Sequence, residues 1–322
     1  MKHIFSFEAE IYARIVDATS GRNQTYKERS HRSIFKQLLD SVLPKKERTI
    51  DRMQHESINL VAAGIHTTKW VLSVAMVQLL LYPNMLQKLK NELCEAWPDV
   101  DVPLKLQQLE QLPYLTAVIQ EGKNSFHKYI HIGCSYVDNS DGNTAFRLSY
   151  GIPSRLARTS KYPLQYKPYT IPPGTPFSMS IFYMHTNPTI FPSLYKFDPS
   201  RWLPVNGILP TGPDGKKLLT RYLVALGRGD KHCIGMNLAN AEIYIGLANL
   251  IRKCNFDLHQ TTERDVGFYS ENFIPRPLSP CPMDLALIIK LNDLSRTPQG
   301  GISTQSSVRL LCDLHSIAAC LL

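Results

Sequence analysis

One run of residues constrains this chain more than any other. From about Thr49 to Tyr82 no proline occurs, and Pro83 then closes the run. The spacing predicts a single helix, which at 1.5 Å per residue is about 50 Å long. Its most apolar part, Ile58–Tyr82, contains His66, Lys69 and Gln78, so it reads as a buried core helix rather than a membrane span. Such a helix needs a large body around it. The chain has 322 residues and is 43% hydrophobic, enough for a large core and one or two domains.

The second constraint is chemical. Leu223–Ile245 reads L-V-A-L-G-R-G-D-K-H-C-I-G-M-N-L-A-N-A-E-I-Y-I. A glycine-rich loop delivers Cys233, and Leu238, Ala239, Ile243, Ile245 and Leu247 then recur near helical spacing. Gly227 and Gly229 allow backbone conformations closed to other residues, and Gly235 allows close approach of a flat ligand. A thiolate just ahead of a helix is stabilised by the dipole and by free N–H groups. Such a sulfur suits iron as a soft ligand. Taken alone, the loop also fits a structural cysteine that is merely buried.

The loop resembles the haem loop of the cytochrome P450 family, F-x-x-G-x-R-x-C-x-G. Gly229, Cys233 and Gly235 match, Leu226 stands for the usual Phe, and Lys231 stands for the usual Arg. Three further motifs of the family follow its order. Ala62–Thr68 resembles [AG]-G-x-[DE]-T, with Gly64 and Thr67 matching and His66 where an acid is usual. Gly64 would leave room for haem and oxygen, and the Thr67 hydroxyl could relay a proton. His66 could shuttle protons but supplies no negative charge.

The family's E-x-x-R pair, which braces the haem loop, begins at Glu121–Gly122 and resumes at Phe146–Arg147, before L-S-Y-G-I-P-S-R. Residues 123–146 between them show no period and read as an insertion, a retained intron or a gene-model error. Pro199, Ser200, Arg201 and Trp202 resemble P-E-R-[FW], whose arginine completes the brace; Ser200 replaces the acid.

The resemblance runs from about residue 4 to 290 and implies a mainly α fold with small β-sheets (α+β), incomplete at the N-terminus. Residues 1–291 would be a partial domain and 292–322 an irregular tail. It implies haem ligated by the Cys233 thiolate, with Cys233 the metal ligand. Gly229, Gly235 and Gly64 would make room for the cofactor, and Lys231 and Arg155 would hold propionates. Thr67 and His66 would be catalytic, and Ala63, Gly64, Ile152, Pro153 and Phe273 would face the pocket. The implied activity is hydroxylation of a small apolar molecule with O2 and NADPH electrons passed through NADPH–cytochrome P450 reductase. The wording A-E-I-Y-I and S-Y-G-I-P-S-R resembles fungal members of the trichodiene oxygenase kind, which makes a terpenoid substrate one expectation. The alternative is a truncated, inactive remnant that does not hold haem stably. A third reading is a basic interaction module that uses Cys233 structurally.

Composition narrows these classes. Lys and Arg total 36 against 27 Asp and Glu, a balance that suits either an acidic redox partner or plain solubility. No basic block alternates with aromatics, so nucleic-acid binding has little support. Seven scattered cysteines without a C-x-x-C pair argue against a disulfide framework or a zinc site. Family members of this kind sit at the endoplasmic reticulum membrane. Met1–Glu10 reads as neither signal nor anchor, which by itself would leave a cytoplasmic chain.

Shorter elements read as helices over Ile4–Ser20, Ser33–Val42, Leu86–Trp97 and Leu115–Gln120. Tyr169–Pro176 reads as strand, turn, strand, and Phe177–Met184 as a further strand. Leu203–Thr220 reads as a meander, and Phe256–His259 and Gly267–Pro275 as short strands.

Overall fold

Proline placement sets the helical framework. In the computed structural model the first long helix, α1, spans Ile50–Leu81, and α2 spans Pro83–Ala96 with Pro83 in its first turn. Proline cannot continue α1 but suits the start of α2, so a near-continuous helical run breaks at Tyr82. The described residues are 40–122, 152 and 154–258 except 194–195, strands within 270–291, and positions 9, 12–13, 15–16 and 37–38.

The chain divides into two compact units, Met1–His66 and Thr67–Leu322, and α1 runs across the division. In the first unit Ile15 and Met53 are both 1% exposed and pack with Leu38, Ile50 and Ile58. Positions 9, 12–13 and 15–16 are helical, as expected for Ile4–Ser20. The helix expected over Ser33–Val42 stops early. Ser41–Leu43 are bends, the Ser41 hydroxyl bonds Leu38 O at 2.6 Å, and Val42 is fully exposed, because Pro44 cannot be approached in a helical conformation.

In the second unit every residue of α1 from Thr68 to Leu79 is buried. The helix is long and apolar enough to cross a membrane by length and composition. Its burial within the protein is the pattern of a core helix. Its residues Val71, Leu72, Ala75, Met76 and Leu79 share one buried cluster with residues of α2, α3 (Leu106–Leu109), α4 (Pro113–Gly122) and α6 (Met236–Lys253); a short α5 (Ile181–His185) stands between α4 and α6 in the chain. Helix α2 buries one face: Leu89 and Leu93, four residues apart, are fully buried. Each such leucine contributes about 1.5–3 kcal/mol of hydrophobic stabilisation.

The start of α4 is held by α2. Both oxygens of Glu92 accept backbone N–H groups, from Tyr114 and Leu115, each at 2.7 Å. Burial pushes the Glu92 carboxyl up, against the lowering pull of those two bonds. The Thr116 and Tyr244 hydroxyls, 3.0 Å apart and buried, tie α4 to α6.

The sheets are small and antiparallel: β1 (Leu164–Tyr166) with β2 (Tyr169–Ile171), β3 (Cys254–Leu258) with β6 (Leu287–Leu291), and β4 (Ser270–Asn272) with β5 (Ile274–Arg276). Helices with small sheets are the architecture expected. Two local readings are corrected. The partner of Tyr169–Ile171 precedes it, through a turn with Lys167 at φ 53°, and residues 172–176 form no strand. Phe177–Met184 is not a strand, because Ile181–His185 is helical. Its aromatic, branched run mimics a strand, but a short apolar run does not separate the two states.

Candidate functional site

The cysteine loop is shaped by two left-handed glycines. Gly227 has φ 73° and Gly229 φ 71°, conformations that cost other residues about 1–2 kcal/mol. Gly227 donates its N–H to Val224 O at 2.9 Å, closing the first turn. A 3₁₀ turn over Gly229–Lys231 follows, and His232 N–H returns to Gly229 O at 3.0 Å. The neck is closed where Cys233 N–H meets Leu226 O at 2.7 Å.

Cys233 then stands three residues ahead of α6, an 18-residue helix whose N-cap, Gly235, offers no side-chain bond. Its thiol is free and half-exposed. A Cβ placed on Gly235 would lie 3.9 Å from the Cys233 sulfur, in ordinary van der Waals contact with it. Cys254 contrasts with it, being buried, with its thiol pushed up by burial against the Lys253 charge. Beside Cys233, Ile234 and Leu238 are 91% and 59% exposed, and Arg228, Lys231 and His232 are exposed.

Two further arrangements support the loop. On α1 the buried Thr68 donates its hydroxyl to Glu242 of α6 at 3.1 Å. Four residues on along each helix, the Leu72 side chain packs 3.6 Å from where a Cβ on Gly246 would be. The other is a buried brace at the end of α4. Glu121, fully buried, accepts Trp202 Nε1–H at 2.7 Å, Asp198 N–H at 3.0 Å and Arg201 Nε–H at 3.3 Å. Arg201 also donates to Pro192 O at 3.0 Å. These donors come from the 3₁₀ turn Pro199–Trp202, which Asp198 caps by accepting Ser200 N–H.

The structure thus gathers Gly229, Lys231, Cys233 and Gly235 on one loop. Thr67 is half-buried and opens the second unit. Gly64, half-buried, and His66, exposed, belong to the first unit with Ala63. Arg155 is exposed, and among the described residues no hydrogen bond or ion pair links it to the cysteine loop. Ile152 is half-buried, while Arg147, Pro153 and Phe273 lie outside the described residues. The Arg201–Glu121 pair forms as the P-x-R-W motif implies. Sequence reasoning missed the Trp202 indole as a donor to Glu121, the Glu242 contact and the buried His185. The tryptophan itself was the only signal: a buried indole N–H needs an acceptor.

Comparison with known proteins shows the family. The cytochrome P450 family model matches residues 2–122 and 145–275. A cytochrome P450 monooxygenase of Ascocoryne sarcoides is 36% identical over 285 residues, 85% of this chain and 50% of that protein. Another, from Eupenicillium brefeldianum, is 38% identical over 250 residues, 76% of this chain and 44% of that protein. A tryptophan 6-hydroxylase of Fusarium equiseti is 32% identical over 274 residues, 85% of this chain and 48% of that protein. The chain spans about half the length of these curated relatives. With both matched segments flanking the same unmatched stretch, and the cysteine loop inside the second, the chain belongs to the cytochrome P450 family.

Proposed function

We propose that this chain forms the haem-binding part of a monooxygenase that hydroxylates a small apolar molecule. One observation carries the reading: Cys233 is a free, half-exposed thiol held ahead of α6 by a loop that only glycine builds easily. The donor set fits a haem. A soft, half-exposed sulfur is available as a ligand, Gly235 adds no side chain beside it, and exposed cations flank it in the sequence. Haem, when bound, supplies the oxygen chemistry.

The residues have separate tasks. Cys233 ligates iron through its thiolate. Lys231 and Arg155 pair with propionates, for which an arginine offers two parallel bonds. Thr67 holds a proton at its hydroxyl, and His66 exchanges protons with solvent. Gly64, within α1, would leave room for the cofactor. The exposed Arg228 and His232, with Ile234 and Leu238, offer a basic and apolar surface to an acidic NADPH–cytochrome P450 reductase at the endoplasmic reticulum membrane.

A terpenoid remains one proposed substrate. The names of two relatives, a tryptophan 6-hydroxylase and an N-acetyltryptophan 6-hydroxylase of Emericella nidulans, add a flat aromatic ring as another. The test is haem uptake followed by a carbon-monoxide difference spectrum of the reduced protein. A thiolate-type Soret band that disappears in Cys233→Ala supports the reading; no uptake by the wild-type chain overturns it.

The second reading, an inactive remnant, draws on the family match that stops at 122 and resumes at 145. Residues 123–146 are then a retained intron or gene-model error inside the domain 1–291. Sequencing the spliced transcript decides it: reads that all keep these codons defeat the insertion proposal.

A further inference from the structure

His185 ends α5 and is fully buried. The motifs of the family reading leave it without a task. Its Nε2 accepts the Val224 N–H at 3.0 Å. Accepting that bond requires Nε2 to carry no proton, so the ring is neutral with its proton on Nδ1. Val224 opens the cysteine loop. Its neighbours Leu223 and Ala225 are buried, so its N–H lies where an amide needs a partner.

The loop is closed in three steps. His185 holds the Val224 N–H; the Val224 carbonyl takes the Gly227 N–H at 2.9 Å; the Leu226 carbonyl takes the Cys233 N–H at 2.7 Å. Val224 is therefore held through both its N–H and its carbonyl. From it the left-handed turn at Gly227 starts, and two residues after it stands the carbonyl that fixes Cys233.

On its other side the imidazole reaches the buried brace. His185 stands edge-on to Phe191 at 6.4 Å between ring centres. Phe191, fully buried, tilts against Trp202 at 6.1 Å, and Trp202 donates to Glu121 at 2.7 Å. A contiguous set of contacts thus runs from the end of α4 to the base of the loop, with His185 as its last member.

We propose that His185 is a positioning residue for Cys233: its neutral imidazole anchors the base of the loop to the Glu121–Trp202 brace and so sets where the sulfur is presented. It acts on the sulfur through Val224 and Leu226. The consequence for haem rests on the proposed function, whereas the anchoring of the loop does not.

The experiment uses the 322-residue chain without added haem and compares His185→Leu with His185→Gln. Leucine removes the acceptor; the glutamine amide oxygen occupies the place of Nε2. Two quantities are read: amide hydrogen exchange of the peptide covering 224–233, and the rate at which iodoacetamide alkylates Cys233, followed by mass spectrometry. In His185→Leu, exchange over 224–233 and Cys233 alkylation rise about tenfold, while exchange in α2 is unchanged. His185→Gln returns both to within about twofold of wild type.

Equal behaviour of the two variants overturns the proposal. So does a rise in exchange of the same size in α2, which marks general loosening. If His185→Leu does not fold, His185→Asn, whose shorter amide stops short of Val224, takes its place under the same criteria. A wild-type chain that takes up no haem defeats the functional reading and leaves these outcomes intact. A haem-binding chain with unchanged loop exchange in His185→Leu defeats this proposal alone.

Discussion

The cysteine loop and the Glu121 brace lie in the same unit and are built on opposite principles. The loop is largely exposed, depends on two left-handed glycines, and holds itself with backbone bonds. The brace is buried, and one carboxylate accepts three donors from a neighbouring turn. Burial makes each polar partner of the brace indispensable, since an unpaired buried charge is costly. Exposure lets the loop present its sulfur but gives it little packing of its own. The lesson is a division of labour: the brace supplies rigidity, and the loop uses it.

That division predicts how the two regions break. The largest effect falls on Glu121→Ala, which strands the Trp202 indole and takes the carboxylate partner from Arg201. Unfolding in urea should show a loss of about 3–5 kcal/mol, with Cys233 reactivity rising as the whole unit loosens. Trp202→Phe keeps the ring and removes one donor. It should cost about 1–3 kcal/mol by the same measurement.

Gly227→Ala strikes the loop instead. The left-handed backbone resists a side chain, and its Cβ would sit 3.5 Å from His232 Cα. The cost should be about 1–2 kcal/mol. Here the order reverses, with Cys233 alkylation changing more than global stability does. A brace variant that altered Cys233 alkylation without lowering stability would erase the distinction.

The smallest effect is acid sensitivity through Asp198. Burial would raise its carboxyl, but the Ser200 hydroxyl and N–H, with the Lys196 and Arg201 charges, hold it below the usual carboxylate range. Its folded pKa is thus below the unfolded value of about 4. The stabilisation it contributes is present above that value and is lost as pH falls through the folded one. Asp198→Asn should flatten the stability–pH curve below about pH 4, by at most about 1 kcal/mol in this partly solvated setting.

Local rules made part of this legible in the sequence. Pro83 marks the α1–α2 break, and the glycines mark the loop, because each limits the backbone at its own position. The P-x-R-W motif located the arginine that reaches Glu121. What stayed hidden are pairings across long separations: Trp202 with Glu121 over 81 residues, His185 with Val224 over 39, Thr68 with Glu242 over 174. No local period encodes them. Ile181–His185 was misread for a different reason, since its residue types favour strands and tertiary packing overrides that preference.

The central claim is that the Cys233 sulfur is an iron ligand. Iron K-edge X-ray absorption of the haem-loaded chain tests it most directly. The account predicts one sulfur in the first coordination shell of the wild type and its loss in Cys233→Ser. A shell of nitrogen and oxygen alone, or a sulfur that survives the substitution, would contradict it.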